Sequence, residues 1–144
     1  MKKYRVDQLR NVAIISHGGA GKTTLAEAML FLGGAVDRFG KVDDGTSTMD
    51  YDPDEVKRKI SINASVAPVE WNGHKINLID TPGYSDFVGE VVGALRIADA
   101  GMVLVDAVSG VEVGTELTWR HADERSLPRM VVINRMDREN ANFD

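Results

Sequence analysis

The sequence predicts an α/β fold: a mostly parallel sheet with one antiparallel hairpin at its edge and helices on both faces. Apolar runs of strand length alternate with segments of helical periodicity along most of the 144 residues. One Asn-Gly pair, Asn72-Gly73, separates two strand-like runs and is typical of a tight hairpin turn. Strands separated by helices pair in parallel through right-handed crossovers, so only the hairpin is expected to be antiparallel.

The first half of the chain predicts a strand, a glycine-rich turn, a helix and a loop. Residues 12–15 form a short apolar run, and residues 25–32 are rich in helix formers. Gly33-Gly34 can end that helix, because glycine readily adopts the left-handed conformation. Residues 37–59 carry many aspartates and few apolar side chains, so we expect a long mobile loop. Within it, the acidic run at residues 50–55 lacks the regular spacing of a cation-binding loop and is expected to be solvated.

The second half predicts alternating strands and helices. Residues 60–66 alternate apolar and polar side chains, which is typical of a strand that directs Ile60, Ile62 and Val66 to one face. Residues 75–80 form the return strand of the hairpin. The remaining predicted elements are a helix at 87–98, a strand at 102–105, a helix at 113–125 and a strand at 130–133.

Composition excludes several classes of function. Lysine and arginine number 17 against 22 aspartates and glutamates, a net charge of −5, which disfavours sequence-independent capture of DNA through its phosphates. No apolar run approaches the roughly 20 residues that span a bilayer, so we expect no membrane partner and a cytoplasmic location. The chain has no cysteine, which excludes disulfides and thiolate chemistry.

The glycine-rich turn after the first strand has the composition of a phosphate-binding loop. Gly21-Lys22-Thr23 supplies a glycine, a lysine that can reach the β and γ phosphates, and a hydroxyl for Mg²⁺, while Ser16 stands where the full motif has its first glycine. A helix N-terminus follows and favours anions. The alternative is a glycine-rich turn with an incidental lysine, and His17 can be only a turn residue. The predicted binding residues here are Ser16, His17, Gly18, Gly19, Ala20, Gly21, Lys22, Thr23 and Thr24.

A second candidate site follows the return strand of the hairpin. Asp80 at the strand end could hold Mg²⁺ through water, and the Gly83 N–H could meet a γ phosphate. An ordinary strand-terminating turn explains Asp80-Thr81-Pro82-Gly83 equally well when it is taken alone. Its order in the chain, after a strand that follows a phosphate-binding loop, favours the functional interpretation.

A third candidate site follows the last predicted strand, at Asn134-Arg135-Met136-Asp137. Guanine presents two donors on its Watson–Crick edge, and one carboxylate, that of Asp137, can accept both. Adenine places an acceptor there, so the same carboxylate would reject it. The alternative is that Asn134 and Asp137 cap the next turn. The predicted guanine contacts are Asn134, Arg135 and Asp137.

With these residues in place, the chain resembles the GTP-binding domain of the translation-factor GTPases of the elongation factor G type. The resemblance is carried by residues 16–24, Arg58-Lys59-Ile60-Ser61-Ile62, residues 80–83 with 86–87, residues 105–106 with 110–112, and residues 128–137. It implies a P-loop NTPase (GTPase) fold truncated before its last strand, so that residues 1–144 form a GTP-binding domain incomplete at its C-terminus. It also implies GTP or GDP as ligand, Mg²⁺ held by Thr23, Ser61 and Asp80, a switch loop at residues 37–61, and the ribosome as partner.

The departures from the family pattern concern hydrolysis more than binding. The family has an aspartate at the position of Gly19 and a histidine, which positions the attacking water, at the position of Tyr84. A phenol cannot take on the imidazolium character of histidine near neutral pH. Ser61 keeps the hydroxyl of the usual threonine, and Arg135 replaces the usual lysine. We therefore expect Lys22 and Tyr84 as catalytic residues and slow GTP hydrolysis; the alternatives are a non-hydrolytic GTP-binding sensor and a P-loop ATPase or kinase.

Overall fold

A five-stranded sheet forms the centre of the structure, a computed structural model that describes residues 2–143. The strands are β1 (Leu9–Ile15), β2 (Ser65–Trp71), β3 (His74–Asp80), β4 (Ala100–Asp106) and β5 (Arg129–Asn134). Their order across the sheet is β2-β3-β1-β4-β5, and only the β2–β3 pair is antiparallel. The predicted mostly parallel sheet with one antiparallel edge hairpin is confirmed.

Helices cover both faces of this sheet. They are α1 (Lys22–Leu32), α2 (Pro53–Arg58), α3 (Val88–Ile97) and α4 (Val113–Asp123), with 3₁₀ turns at Val6–Gln8 and Ser85–Phe87. Most predicted elements agree with these bounds within two residues, while β1 and α1 each begin three residues earlier than predicted. No helix in the described part of the chain is long and apolar enough to cross a membrane.

The core lies in two layers because β1 is buried on both faces. Ile14 packs with Leu30 of α1 on one face, whereas Ala13 and Ile15 pack with Leu95 of α3 on the other. All three β1 side chains are fully buried, as alternation along a central strand requires. The two layers fix α1 and α3 on opposite faces, so that the turns after β1 and β3 meet at the carboxyl edge of the sheet.

The hairpin at the sheet edge has the turn that its sequence predicts. Asn72 and Gly73 have φ of +46° and +78°, and both residues of a type I′ turn require positive φ. Pro68 lies within β2 and has no N–H to donate, which an edge strand tolerates.

The predicted strand at residues 60–66 is wrong both in where it begins and in which side chains face the core. β2 begins only at Ser65, whose side chain is buried, while Val66 is 59% exposed. The backbone N–H groups of Ile62 and Asn63 donate to the Glu55 carboxylate, and that of Ala64 donates to Glu90. Since these donors are already used, residues 62–64 cannot join the strand ladder.

The segment predicted as a mobile, solvated loop contains a helix and buried residues. Asp52 caps α2 by accepting from the Asp54 N–H, and Glu55 completes a capping box. Met49 is buried in the α1 layer of the core, and Asp50 and Glu55 are buried as well, so the acidic run is not wholly solvated. Its mobility in the absence of GTP stays a prediction.

Candidate functional site

Residues from the three predicted motifs line one cleft of about 280 Å³ at the carboxyl edge of the sheet; Arg135 represents the third motif there, and Asp80, Asn134 and Asp137 are not among the lining residues. In parallel sheets such edges gather the loops that follow neighbouring strands, and ligands bind in the crevice between them. Predicted site residues that line the cleft are Gly18, Gly19, Gly21, Lys22, Thr23, Thr24, Ser61, Gly83, Tyr84 and Arg135.

Two glycines shape the turn between β1 and α1. Gly19 and Gly21 have φ of +82° and +94°, a region that other residues rarely adopt. A Cβ at Gly21 would also lie 2.5 Å from Asn134 Nδ2. That amide donates to the Ala20 carbonyl oxygen at 2.9 Å and so ties the end of β5 to the turn. The alternative in which Asn134 merely caps its own turn is therefore wrong.

Three predicted binding residues direct their side chains away from the cleft. Ser16 is buried and its hydroxyl donates to the Leu104 carbonyl of β4, so the serine in place of the motif glycine has a partner of its own. The His17 ring accepts from the Gly114 N–H at 3.2 Å, at the start of α4. Ala20 packs into the core beneath α1. Of their backbone groups, the His17 carbonyl contacts Lys22 of the cleft.

Lys22 is held at the bottom of the cleft. Its Nζ donates to the His17 carbonyl oxygen at 2.9 Å, and its side chain is nearly buried. Burial lowers the Lys22 pKa to about 8, although the charges of Asp80 and Asp50 act in the opposite direction. A Cβ at Gly83 would lie 2.6 Å from the Gly18 backbone as well as 2.4 Å from Lys22 Nζ, so only glycine fits there. The Lys22 amino group and the Gly83 backbone therefore border the same part of the cleft.

Four side chains beside Lys22 form a chain of short oxygen contacts. The Thr23 hydroxyl donates to Asp80 Oδ2 at 2.6 Å, and the Ser61 hydroxyl donates to Asp50 Oδ1 at 2.7 Å. The two hydroxyl oxygens lie 3.1 Å apart, and each has already used its only hydrogen. Asp80 Oδ1 and Asp50 Oδ2 are buried without a partner. This arrangement needs either a proton on a carboxylate or a cation.

The same oxygens fit Mg²⁺. Adjacent ligands of an octahedral ion at 2.0–2.1 Å lie about 3 Å apart, which matches the separation of the Thr23 and Ser61 oxygens. Among residues 2–143 no group of three or more His, Cys, Asp or Glu forms a metal centre. Mg²⁺ does not need one, because it keeps several waters and takes phosphate oxygens as ligands.

Burial also changes the acidity of the two carboxyl groups. It raises the pKa of Asp80 to about 7, against the opposing effects of the Thr23 hydrogen bond and the Lys22 charge. It raises the pKa of Asp50 in the same direction. Both groups therefore hold a proton more tightly than an exposed aspartate, and a bound cation would displace it.

The segment after β5 is arranged by Asp106 of β4. Arg135 has φ of +63°, and its Nη1 lies 2.5 Å from Asp106 Oδ2. The Val108 and Ser109 N–H groups also donate to Asp106, and the Val108 bond is the main reason why the Asp106 pKa is lowered. Asp137 lies exposed in the turn that follows. The carboxylate predicted to read the base is thus accessible from solvent.

Tyr84 lies at the rim of the cleft, over Gly18. A Cβ at Gly18 would come within 3.1–3.2 Å of three ring atoms, so the ring fills the space of an absent side chain. The ring is 45% exposed and also borders a smaller pocket, of about 140 Å³, beside α4.

Three functional candidates were missed by the sequence analysis. Asp50 was expected in solvent, and its burial depends on contacts with residues far along the chain. Asp106 ends a predicted strand, a signal that could have pointed to the same sheet edge. Lys59 lines the cleft; it lies in the segment of residues 58–62 that carries the family resemblance, and the sequence assigned it no role of its own.

The stability of the chain should depend on pH through Asp80. Its pKa is raised from the ordinary 3.8 to about 7 on folding, so its contribution is complete below about pH 4 and is lost as the pH rises through 7. In Mg²⁺-free, nucleotide-free buffer, we expect the unfolding free energy of the wild type to fall by a few kcal/mol relative to Asp80→Asn across this window. Urea denaturation at several pH values measures it, with exposed Asp86→Asn as control. A pH-independent difference between wild type and Asp80→Asn would contradict it.

Comparison with known proteins identifies the family. The model of the elongation factor Tu GTP binding domain matches residues 7–144. The chain is 45% identical over 143 residues to mitochondrial ribosome-releasing factor 2 of Candida dubliniensis, covering 99% of this chain and 18% of that protein. It is 43% identical over 143 residues to elongation factor G of Dehalococcoides mccartyi, covering 99% of this chain and 21% of that protein. The chain thus spans about a fifth of the length of these relatives.

Solved structures give the same fold. A crystal structure of a protein from Thermus thermophilus matches with a TM-score of 0.88 and 48% identity, over 90% of this chain and 20% of that one. Translation elongation factor SelB from Methanococcus maripaludis, in complex with the GTP analogue GppNHp, matches with a TM-score of 0.70 and 23% identity. The match covers 95% of this chain and 24% of that chain. The second likeness shows the fold alone.

These matches confirm the expected GTP-binding domain of the elongation factor G type. They give no support to the alternatives of an ATPase, a kinase or a non-hydrolytic sensor, and they do not bear on the rate of hydrolysis. The chain belongs to the family of elongation factor Tu GTP binding domains.

Proposed function

We propose that the chain binds GTP or GDP with Mg²⁺ in the cleft and hydrolyses GTP within a factor that acts on the ribosome. The observation that carries the proposal is the contact of Thr23 with Asp80 and Ser61 beside the buried Lys22. These groups supply a cation, two hydroxyls and a carboxylate within one space. They are the donor types that a nucleotide phosphate and its Mg²⁺ require.

Each residue has a separate part in this proposal. Lys22 would exchange its bond to the His17 carbonyl for the β and γ phosphates, and the N-terminus of α1 would favour their negative charge. Thr23, Ser61 and Asp80 would hold Mg²⁺, directly or through water. When bound, the ion would neutralise negative charge on the phosphates.

Selection of guanine is assigned to Asp137, and positioning of the base to Arg135. The Asp106 carboxylate orients the Arg135 side chain, whose planar group can lie over a base. The Asp137 carboxylate would accept from the two donors on the guanine edge. Support comes from the family, whose name states GTP binding.

Action on the ribosome is supported by the relatives. Their names are elongation factor G and ribosome-releasing factor 2, and one of them is mitochondrial. Because the chain covers only about a fifth of their length, the ribosomal step and the cellular location remain part of the proposal.

Removing the Asp137 carboxylate should reduce the preference for guanine. A good bidentate base contact contributes about 1–3 kcal/mol, so Asp137→Ala should lower the GTP-to-ATP affinity ratio by roughly tenfold to a hundredfold. Competition binding with labelled GDP measures the ratio, and Glu139→Ala, an exposed acid in the same turn, is the matched control. An unchanged ratio in Asp137→Ala would show that the base is read elsewhere.

Tyr84 should limit the rate of hydrolysis. Positioned acid–base groups contribute about 10²–10⁴-fold to a rate, and a phenol replaces imidazole here, so we expect Tyr84→His to raise GTP hydrolysis. Phosphate release is measured with and without ribosomes for wild type, Tyr84→His and the double variant with Gly19→Asp. Space is open at Gly19, although its φ of +82° makes aspartate strained there. Exposed Tyr51→His is the control. Fast wild-type turnover with no gain in either variant would show that both departures are neutral.

A further inference from the structure

Lys59 has an unusual backbone conformation for a lysine. It ends α2 with φ of +57° and ψ of +36°, and its N–H donates to the Glu55 carbonyl oxygen. Glycine or asparagine is usual at such a helix end, because a Cβ is strained in the left-handed region by roughly 1–2 kcal/mol. A residue kept in this conformation beside a cleft is a reason to look for a function of its side chain.

Lys59 is one of the residues that border the cleft. Lys59 lines the cleft together with Lys22 and Ser61, whereas Lys57 and Arg58 of the same basic run do not. Within residues 2–143 its ammonium group forms no hydrogen bond or ion pair, and the residue is exposed. Lys59 thus adds a cation to the cleft without an evident structural role for its charge.

The position of Lys59 along the chain places it near the end of a bound polyphosphate. Ser61, two residues later, contacts the Thr23 hydroxyl at 3.1 Å. Gly83 and Gly18 also border the cleft, and they approach so closely that a Cβ at Gly83 would lie 2.6 Å from Gly18 Cα. The proposed γ-phosphate position lies among these groups, and the segment of residues 59–61 faces it.

The charges that line the cleft indicate a role for the Lys59 ammonium group. Two carboxylates, Asp43 and Asp50, line the cleft and repel an anion, and Lys22 is the buried cation already assigned to the phosphates. GTP brings the additional negative charge of its terminal phosphate, which GDP lacks. A second, unpaired ammonium group therefore favours GTP over GDP.

We propose that Lys59 is a γ-phosphate contact that distinguishes GTP from GDP, and that its left-handed backbone directs the ammonium group into the cleft. This inference rests on the proposed function, since it requires a guanine nucleotide in the cleft. It makes residues 59–61 a unit in which one residue contacts the terminal phosphate and Ser61 contacts the metal.

The test separates the charge of Lys59 from its backbone conformation. Lys59→Gly removes the ammonium group and relieves the backbone strain, so the melting temperature should stay the same or rise. Affinity for a non-hydrolysable GTP analogue should fall about five- to tenfold, while affinity for GDP changes less than twofold. Lys59→Arg should keep the preference for the GTP analogue, and Lys57→Ala, on the same basic run, should behave as the wild type.

Calorimetric titration of each folded variant with both nucleotides in the presence of Mg²⁺ gives these values. Equal losses for GDP and the GTP analogue, or no loss for either, in Lys59→Gly would overturn the inference while leaving the proposed function intact. A wild-type chain that binds neither nucleotide would overturn the proposed function itself.

Discussion

The burial of Lys22 and Asp80 near each other at the carboxyl edge of the sheet is the constraint on which the site depends. Charges taken out of water are costly unless other groups compensate them, and the shifts of the Lys22 and Asp80 pKa values toward neutral forms express that cost. The chain compensates with the His17 carbonyl for the lysine and the Thr23 hydroxyl for the aspartate. A nucleotide phosphate and a cation would complete what these single bonds leave unsatisfied.

Two buried glutamates, Glu27 and Glu55, hold the segment of residues 47–63, part of which lines the cleft together with Lys22. Glu27 of α1 accepts from the Ser47 hydroxyl and from the Thr48 and Met49 N–H groups. Glu55 accepts from Asp52, Ile62 and Asn63. Because α1 also begins with Lys22 and Thr23, the helix that carries the proposed phosphate-binding residues also holds residues 47–49 through Glu27.

Sequence reasoning succeeded where the signal is local. The strands around β1, the Asn72-Gly73 hairpin and the glycine-rich turn each depend on neighbouring residues, and all were predicted. It failed at residues 49–64, where the carboxylates of Glu27, Glu55 and Glu90 bind backbone N–H groups of this segment. The contacts of Glu55 and Glu90 accompany the late start of β2, and no pattern of apolar spacing encodes them. The exposure of Asp137 and the place of Lys59 at the cleft are likewise tertiary properties.

Calorimetric titration of wild type and Lys22→Ala with GDP and GTP decides whether the cleft around Lys22 is the nucleotide site. We expect one site in the wild type, and in Lys22→Ala a loss of at least about tenfold in affinity for both nucleotides. The variant should still unfold cooperatively, and exposed Lys41→Ala should bind as the wild type does. Unchanged affinity in a folded Lys22→Ala chain would mean that the nucleotide site lies elsewhere.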